Sequence, residues 1–541
     1  MDSIDDLFRR LEQLNEIGAA LSSERDIDRL LEKILLAAKT ITHADGGTLY
    51  RMTEDGSALR FEILRNDSLQ IALGGTSGNP ITFPDLPLHD EQGAPNNSMV
   101  AAYAAINDKT VNIADAYCEA GFDFSGTRKF DERTGYRSQS FLTVPMKNHE
   151  NEIIGVLQLI NSLDPRGGAV QPFSQSEQRL AESLASQAAI ALTNRQLIMQ
   201  LEELFESFIH LINLAIDEKS PYTGGHCQRV PELTMMIAKA VNATREGPLA
   251  DFQMSEGELY ELKIAGLLHD CGKVTTPVHV VDKATKLQTI FDRIGLVDTR
   301  FEVAKRDAEI ATLRKLLALR ERKNLAAESA CWAEYWQEAA VLDEDRDFLR
   351  HVNVGGEAMS PEDQQRVRDI GTRRTWRSPE DAVAGLLTAD EIDNLTIRAG
   401  TLTAKEREVI NHHIVATIKM LEALPWPNHL KHVAEYAGGH HERMDGKGYP
   451  KGLCREQMSW QARMMGIADI FEALTAKDRP YKQGMKLSQA MSIMAKFSEG
   501  GHIDPDLFDV FCQQAVYLRY AEAFLDAQQI DVDAWTPNGK S

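Results

Sequence analysis

Ile4, Leu7, Leu11, Leu14, Ile17 and Leu21 recur at steps of three and four, which predicts an N-terminal amphipathic helix over 1–24 with a narrow apolar stripe. Ile27, Leu30, Leu31, Ile34 and Leu35 mark a second helix. From Gly46 the period shortens to that of strands. Thr48–Met52 and Leu59–Ile63 flank an Asp55-Gly56 turn, and Ser140–Met146 and Glu152–Ile160 flank Asn148–Asn151, so two hairpins are expected. Helix, hairpin, irregular middle, hairpin, helix predicts an α+β domain over 25–195, an antiparallel sheet with helices on one side. Ser174-Gln175-Ser176-Glu177 reads as a capping box opening a long helix over 174–215. Its apolar positions Leu197, Leu201, Leu204, Phe208, Leu211 and Ala215 alternate steps of four and three, a coiled-coil seam that predicts a parallel homodimer. From about 205 to 525 an all-α domain is expected. Within it, 288–399 is rich in Glu, Arg, Ala and Leu and is helix-prone from Arg314 to Glu338; residues 526–541 form a tail.

Composition narrows the function. A chain of 541 residues holds several domains, and 43% hydrophobic with 26% charged residues is normal for a globular protein. A net charge of −22 argues against nucleic acid as a partner, because phosphates call for basic surface. No run approaches the roughly 18 apolar residues of a membrane span. Met1-Asp2-Ser3-Ile4-Asp5-Asp6 lacks the basic start of a signal peptide, so a cytoplasmic protein with no membrane partner is expected. The six cysteines form no CxxC pair, which disfavours a disulfide framework and a thiolate zinc site.

Five motifs carry candidate metal chemistry: Tyr222–Val230 around His226, Leu267–Lys273 with His269-Asp270, Ile410–Ile414 with His412-His413, Gly438–Pro450 with His440-His441, and Gly466–Phe471 with Asp469 in an apolar run. Imidazole and carboxylate suit divalent first-row metals, and an Asp beside a His can bridge two ions. Two ions about 3.5–4 Å apart can generate hydroxide, clamp a phosphodiester and stabilise the leaving oxygen. Asp469, between Ile467-Ala468 and Ile470-Phe471, would be costly if buried without a partner.

These residues resemble the HD-GYP family of cyclic-di-GMP phosphodiesterases over about 205–288 and 400–525, with a helical insertion at 288–399. The resemblance implies an all-α HD-type metallohydrolase domain in which His226, His269, Asp270, His413, His440, His441 and Asp469 hold two divalent ions, Fe or Mn, with Asp270 as the bridge. Catalysis would rest on Asp270 and Lys273. Lys273, Arg479 and Lys482 would meet the substrate phosphate, and Gly446, Tyr449 and Pro450 would shape the substrate site. The reaction implied is hydrolysis of cyclic-di-GMP, a bacterial second messenger, to pGpG, with GMP as an alternative end product. Two other readings are a non-catalytic cyclic-dinucleotide receptor and a phosphohydrolase acting on another cyclic dinucleotide. Tyr222 stands where some members carry a third-metal Glu, so two ions are expected, although Asp217 and Glu218 lie within reach in sequence.

Lys129-Phe130-Asp131-Glu132, followed by Ser140–Pro145, resembles the signature region of cyclic-nucleotide-binding GAF domains, with Arg128 in place of its first Asn. That implies a sensor with a cyclic nucleotide or other small ligand near Lys129, Phe130, Asp131 and Glu132. The connecting helix would carry its signal.

Overall fold

The computed structural model describes residues 15–21, 23–24, 26–90, 92–219, 225–321, 328–356, 358–373, 375–377, 382–477 and 484–535. The first half of the predicted N-terminal helix therefore lies outside the described residues. The chain divides into two compact units, Met1–Phe205 and Glu206–Ser541.

In the first unit, helix α1 (Ile27–Thr42) starts where the Asp26 carboxylate accepts from the Arg29 amide. The chain then runs through β1 (Ala44–Met52), β2 (Ala58–Asn66), β3 (Ile71–Gly74), β4 (Leu86–Pro87), α2 (Val100–Asn107), β5 (Val111–Ile113), α3 (Ser125–Thr134), β6 (Phe141–Lys147), β7 (Ile153–Leu163) and β8 (Val170–Gln171). Both expected hairpins, β1–β2 and β6–β7, are present, and β1 pairs antiparallel with β7, giving the sheet order β3-β2-β1-β7-β6-β5. Side chains alternate across a strand. Leu49, Leu157 and Leu159 thus meet α1 and the start of α4 (Gln175–Lys219) on one face, where Ala181, Ala185 and Ala188 allow close approach. Tyr50 and Val156 point the other way, under Ala101, Ala102 and Ala105 of α2. Helices therefore cover both faces. The single-sided arrangement expected from the order of elements is corrected by α2, whose run Val100-Ala101-Ala102-Tyr103-Ala104-Ala105 has no clear apolar period. The Ser174–Glu177 box does open α4, with the Glu177 carboxylate accepting from the Ser174 amide at 2.7 Å.

The second unit holds the last turns of α4, then α5 (His226–Ala243), α6 (Glu256–Leu268) and α7 (Val278–Val281). Next come α8 (Ile294–Glu321), α9 (Glu328–Asn353), α10 (Pro361–Arg373), the short pair β9 (Thr375–Arg377) and β10 (Val383–Gly385), and α11 (Ala389–Leu395). It ends with α12 (Ala404–Glu422), α13 (Val433–Gly438), α14 (Trp460–Thr475), α15 (Leu487–Glu499), α16 (Pro505–Gln513) and α17 (Val516–Phe524). Helix α5 packs on α6 and α14, and α12 packs on the tight turn Cys271–Thr275 that follows α6. Gly272 makes that last contact possible: a Cβ there would lie 2.0 Å from the His413 carbonyl oxygen.

The segment between the His269-Asp270 pair and α12 builds its own apolar core from Leu287, Val297, Phe301, Leu342, Leu349, Val367, Leu386 and Leu395. Ion pairs Asp298–Arg350, Lys305–Asp343 and Lys315–Glu334 run in opposite directions along α8 and α9, so the two helices are antiparallel. Its two ends are pinned together. Buried Lys283 reaches Asn394 at 2.8 Å and Glu406 at 2.7 Å, and buried Lys286 donates to the carbonyls of Leu395 at 3.0 Å and Ile397 at 2.8 Å.

Burial lowers the Lys286 ammonium to a pKa of about 8, against about 10.4 for an unfolded lysine. Between these values the unfolded chain holds a proton that the folded chain has shed, so this site adds stability as pH rises from about 8 to about 10. Urea midpoints at the two pH values should shift in favour of the wild type relative to Lys286→Met; a pH-independent difference would contradict this.

Candidate metal centre

Three helices deliver histidines in one manner. His269 ends α6, His413 lies within α12 and His440 follows α13. Each donates its Nδ1 proton to a carbonyl three residues back, of Gly266 at 2.7 Å, Ile410 at 2.5 Å and Ala437 at 2.6 Å. This bond leaves Nε2 with its lone pair directed away from the helix backbone. His226 opens α5 and donates Nδ1–H to Glu472 Oε2 at 2.5 Å. His441 lies against Tyr449, with ring centroids 4.8 Å apart and nearly parallel planes.

These side chains converge in two groups, His226 with His269 and Asp270, and His413 with His440 and His441. Asp270 joins the groups: its Oδ2 lies 3.1 Å from both His226 Nε2 and His269 Nε2, and its Oδ1 lies 3.3 Å from His413 Nε2. Asp469 straddles them as well, with Oδ1 3.3 Å from His226 Nε2 and Oδ2 4.0 Å from His441 Nδ1. Lys273 Nζ sits 2.6 Å from Asp270 Oδ2. His412, by contrast, is exposed, which leaves His413 as the residue in the cluster.

The donor set fits divalent ions on three observations. The Nε2 atoms of His226 and His269 face each other at 3.4 Å while both Nδ1 protons are committed elsewhere; two lone pairs at that range repel unless a proton or a metal cation lies between them. Similarly, His441 Nε2 faces His413 Nε2 at 3.2 Å. His440 Nε2 and Asp270 Oδ1 are buried with no hydrogen-bond partner among the described residues, a costly state for polar atoms.

Electrostatics hold most of the donors in ligating form. At His226 burial opposes a second proton, but Glu472, Asp270 and Asp469 outweigh it and raise its pKa well above the usual imidazole range, so a bound ion would have to displace that proton. Burial drives His440 well below the usual imidazole range and His441 down to about 4, so both are neutral near pH 7. Burial opposes ionisation of Asp270, but Lys273 and His269 outweigh it; at Asp469 the same opposition is overcome by His226 and His441, and both carboxylates stay ionised. Burial also opposes the charge on Lys273, yet Asp270 raises its pKa and keeps the ammonium protonated.

The remaining expected residues are placed as follows. Arg479, Lys482 and Tyr222 lie outside the described residues. Asp217 is half-buried near the end of α4 with one carboxylate oxygen unpartnered among the described residues, and Glu218 is exposed. The loop carrying Gly446, Tyr449 and Pro450 folds over Glu442, whose buried carboxylate accepts from the amides of Lys451 at 2.7 Å and Leu453 at 2.9 Å. Gly448 passes so close that a Cβ would meet Glu442 Cα at 2.4 Å. In the first unit, Lys129, Phe130, Asp131 and Glu132 lie on α3. Asp131 is buried and accepts from Tyr117 and Ser138, whereas Lys129 and Glu132 are exposed. Glu442 and Glu472 were missed from sequence, although Glu472 interrupts an apolar helix as Asp469 does. All six cysteines are free, and no helix among the described residues is long and apolar enough to cross a membrane.

Fold and site together define a class: an α+β module followed by a helical domain that gathers histidines and aspartates suited to divalent metal. Residues 26–192 match the GAF domain family, and 223–347 and 384–507 match HD domain families, so the chain carries a GAF domain and an HD domain. Among curated proteins it is similar to 3'3'-cGAMP-specific phosphodiesterase 1 of Vibrio cholerae, 44% identical over 94 residues that make up 17% of this chain and 22% of that protein. It is also similar to a cyclic di-GMP phosphodiesterase of Pseudomonas aeruginosa, 38% identical over 119 residues, 22% of this chain and 28% of the relative. The chain thus aligns with less than a third of either relative's length. Among solved structures, the GAF domain of an Acinetobacter phosphoenolpyruvate-protein phosphotransferase matches at 16% identity and a TM-score of 0.26, covering 35% of this chain and 96% of that one.

Because the buried lone pairs oppose one another without a cation, stripping metal with a chelator should lower the melting temperature of this domain, and Mn(II) should restore it. Binding at about 100 times the dissociation constant is worth about 2.7 kcal/mol. Calorimetric melting checks this, and His440→Ala should blunt the recovery.

Proposed function

We propose that this chain is a metal-dependent phosphodiesterase of the HD-GYP type that hydrolyses cyclic-di-GMP to pGpG, with further cleavage to GMP. The observation carrying this reading is the Asp270 carboxylate, one oxygen turned to His226 and His269 and the other to His413, the arrangement a bridging ligand between two ions requires. His226, His269, Asp270, His413, His440, His441 and Asp469 would hold two divalent ions, Fe or Mn. Bound ions would supply Lewis acidity toward the phosphate and a water nucleophile active at neutral pH.

The chain's own groups do the rest. Lys273, cationic beside Asp270, is placed to neutralise charge on the phosphate as water attacks phosphorus and one P–O3′ bond breaks. Its Nζ–H can donate to the departing 3′-oxygen, which leaves as a hydroxyl. Tyr449 and Pro450, held by the loop folded over Glu442, would bound the substrate. By the resemblance to the HD-GYP family, Arg479 and Lys482 would contact the phosphate. A second reading, hydrolysis of 3'3'-cGAMP, is favoured by the similarity to the Vibrio cholerae enzyme of that specificity.

The test is incubation of Mn- or Fe-loaded protein with cyclic-di-GMP and 3'3'-cGAMP, with products identified by mass spectrometry. Faster turnover of cyclic-di-GMP is expected, and Asp270→Asn should reduce it by at least about 1000-fold. Tight binding without hydrolysis of either nucleotide would point to a receptor instead.

For regulation, we infer a homodimer paired along α4 and a small ligand, such as a cyclic nucleotide, in the GAF domain near Lys129, Phe130 and Glu132. Leu201, Leu204, Phe208 and Leu211 follow the seam and are all exposed, from 53% to 64%, which supports a partner helix. The far end of α4 bonds to the segment bearing the metal ligands: Asn213 donates to the Leu267 carbonyl at 2.9 Å and Lys219 to that of Lys273 at 3.2 Å. Leu204→Glu with Leu211→Glu should convert the dimer to monomer in light scattering and alter turnover at least severalfold. An unchanged mass would rule out this seam.

A further inference from the structure

His226 differs from its neighbours in how it is held. His269, His413 and His440 use carbonyls of their own helical segments, but His226 is the first residue of α5 and has no preceding turn of that helix to bond. A carboxylate from another helix takes this place. Glu472 lies one turn after Asp469 on α14, on the same face, and is 1% exposed. Its Oε2 accepts from His226 Nδ1 at 2.5 Å, and its Oε1 accepts from Arg229 Nε at 2.8 Å, with Nη2 at 2.7 Å. Arg229 sits one turn beyond His226 on α5, so the three side chains close a ring between α5 and α14. Gly225 leaves room for it, since a Cβ there would lie 2.4 Å from Arg229 Nη1.

We propose that Glu472, anchored by Arg229, is the positioning residue for His226: it fixes the Nδ1–H tautomer and aims Nε2 at the ion shared with His269 and Asp270. The proposal rests on the metal-centre reading above and adds a residue to it. A carboxylate behind a ligating imidazole orients the ring and increases its basicity, and losing such a partner weakens metal affinity roughly 10–100-fold. With Glu472 in place, Nε2 faces Asp270 Oδ2 at 3.1 Å and Asp469 Oδ1 at 3.3 Å, so one ring orientation serves both acids. Without it Nδ1 loses its acceptor, and a ring flip that turns the lone pair away from the cluster is no longer opposed from behind the ring.

The test uses full-length protein freed of metal and titrated with Mn(II), following bound metal per subunit and the electron paramagnetic resonance spectrum. Wild type is expected to take up two ions and show the spectrum of interacting manganese. Glu472→Gln should bind one ion roughly 10–100-fold more weakly and show an isolated Mn(II) signal at concentrations that fill the wild type. A merely structural ion pair would lower the melting temperature of the metal-free protein while leaving affinity and spectrum unchanged, and that result overturns the proposal. Should Glu472→Gln fail to fold, Arg229→Gln takes its place. That variant keeps the Nδ1 bond but loses its anchor, so a threefold to tenfold weakening is expected and unchanged affinity overturns. A wild type holding a single ion would overturn the two-ion reading, and Glu472 would still be judged by the shift in that ion's affinity.

Discussion

Imidazole nitrogens that face one another in a dry interior are the constraint around which the HD domain is arranged. His226, His269, His413 and His440 are buried with the other ring nitrogen tied to protein, and the carboxylates of Asp270 and Asp469 bring negative charge into the same space. Burial on this scale is unfavourable unless positive charge compensates it, and Lys273 alone cannot reach every donor. The cluster is thus a high-energy arrangement without cations and a favourable one with them. Under the proposed function the same cations would supply the chemistry that phosphodiester hydrolysis needs.

Bringing the donors together depends on close helix contacts. Gly272 lets the turn after α6 lie directly on α12, where the Gly272 amide donates to Thr417 Oγ1 at 2.9 Å, so the backbones bearing Asp270 and His413 are in contact. The helical segment between them does not disturb this, because Lys283 and Lys286 bind its entry to its exit and bring the chain back to the cap of α12. Glu406 serves two purposes there, completing the Thr403 capping box and receiving Lys283. A long intervening segment is tolerated when its ends meet, since the entropic cost of closing a loop grows only slowly with length.

In the GAF domain the charged signature on α3 divides by burial. Asp131 is occupied by the Tyr117 hydroxyl and by Ser138, and so holds the approach to β6, while Lys129 and Glu132 remain exposed. Four consecutive letters in the sequence therefore split into a structural anchor and surface groups. The sequence held no sign of this, because burial is a property of the fold around a residue rather than of its neighbours in the chain.

Local order was largely written in the residues themselves. The hairpins follow from alternating side chains on either side of Asp55-Gly56 and Asn148–Asn151, α4 from its capping box, and the five candidate ligand motifs from chemistry that packing alone does not call for. What tertiary structure alone decided is which distant groups share a space. It put α2 on the second face of the sheet, although its alanine-rich run has no amphipathic period to announce a face. It chose between His412 and His413, adjacent in sequence but on different sides of α12. It also set Glu472 behind His226, a pairing across more than two hundred residues that exists because α5 begins at its histidine and has no earlier turn to hold it. Periodicity and capping act over a few residues and can be read from a string; a ligand's supporting contacts depend on helix packing and cannot.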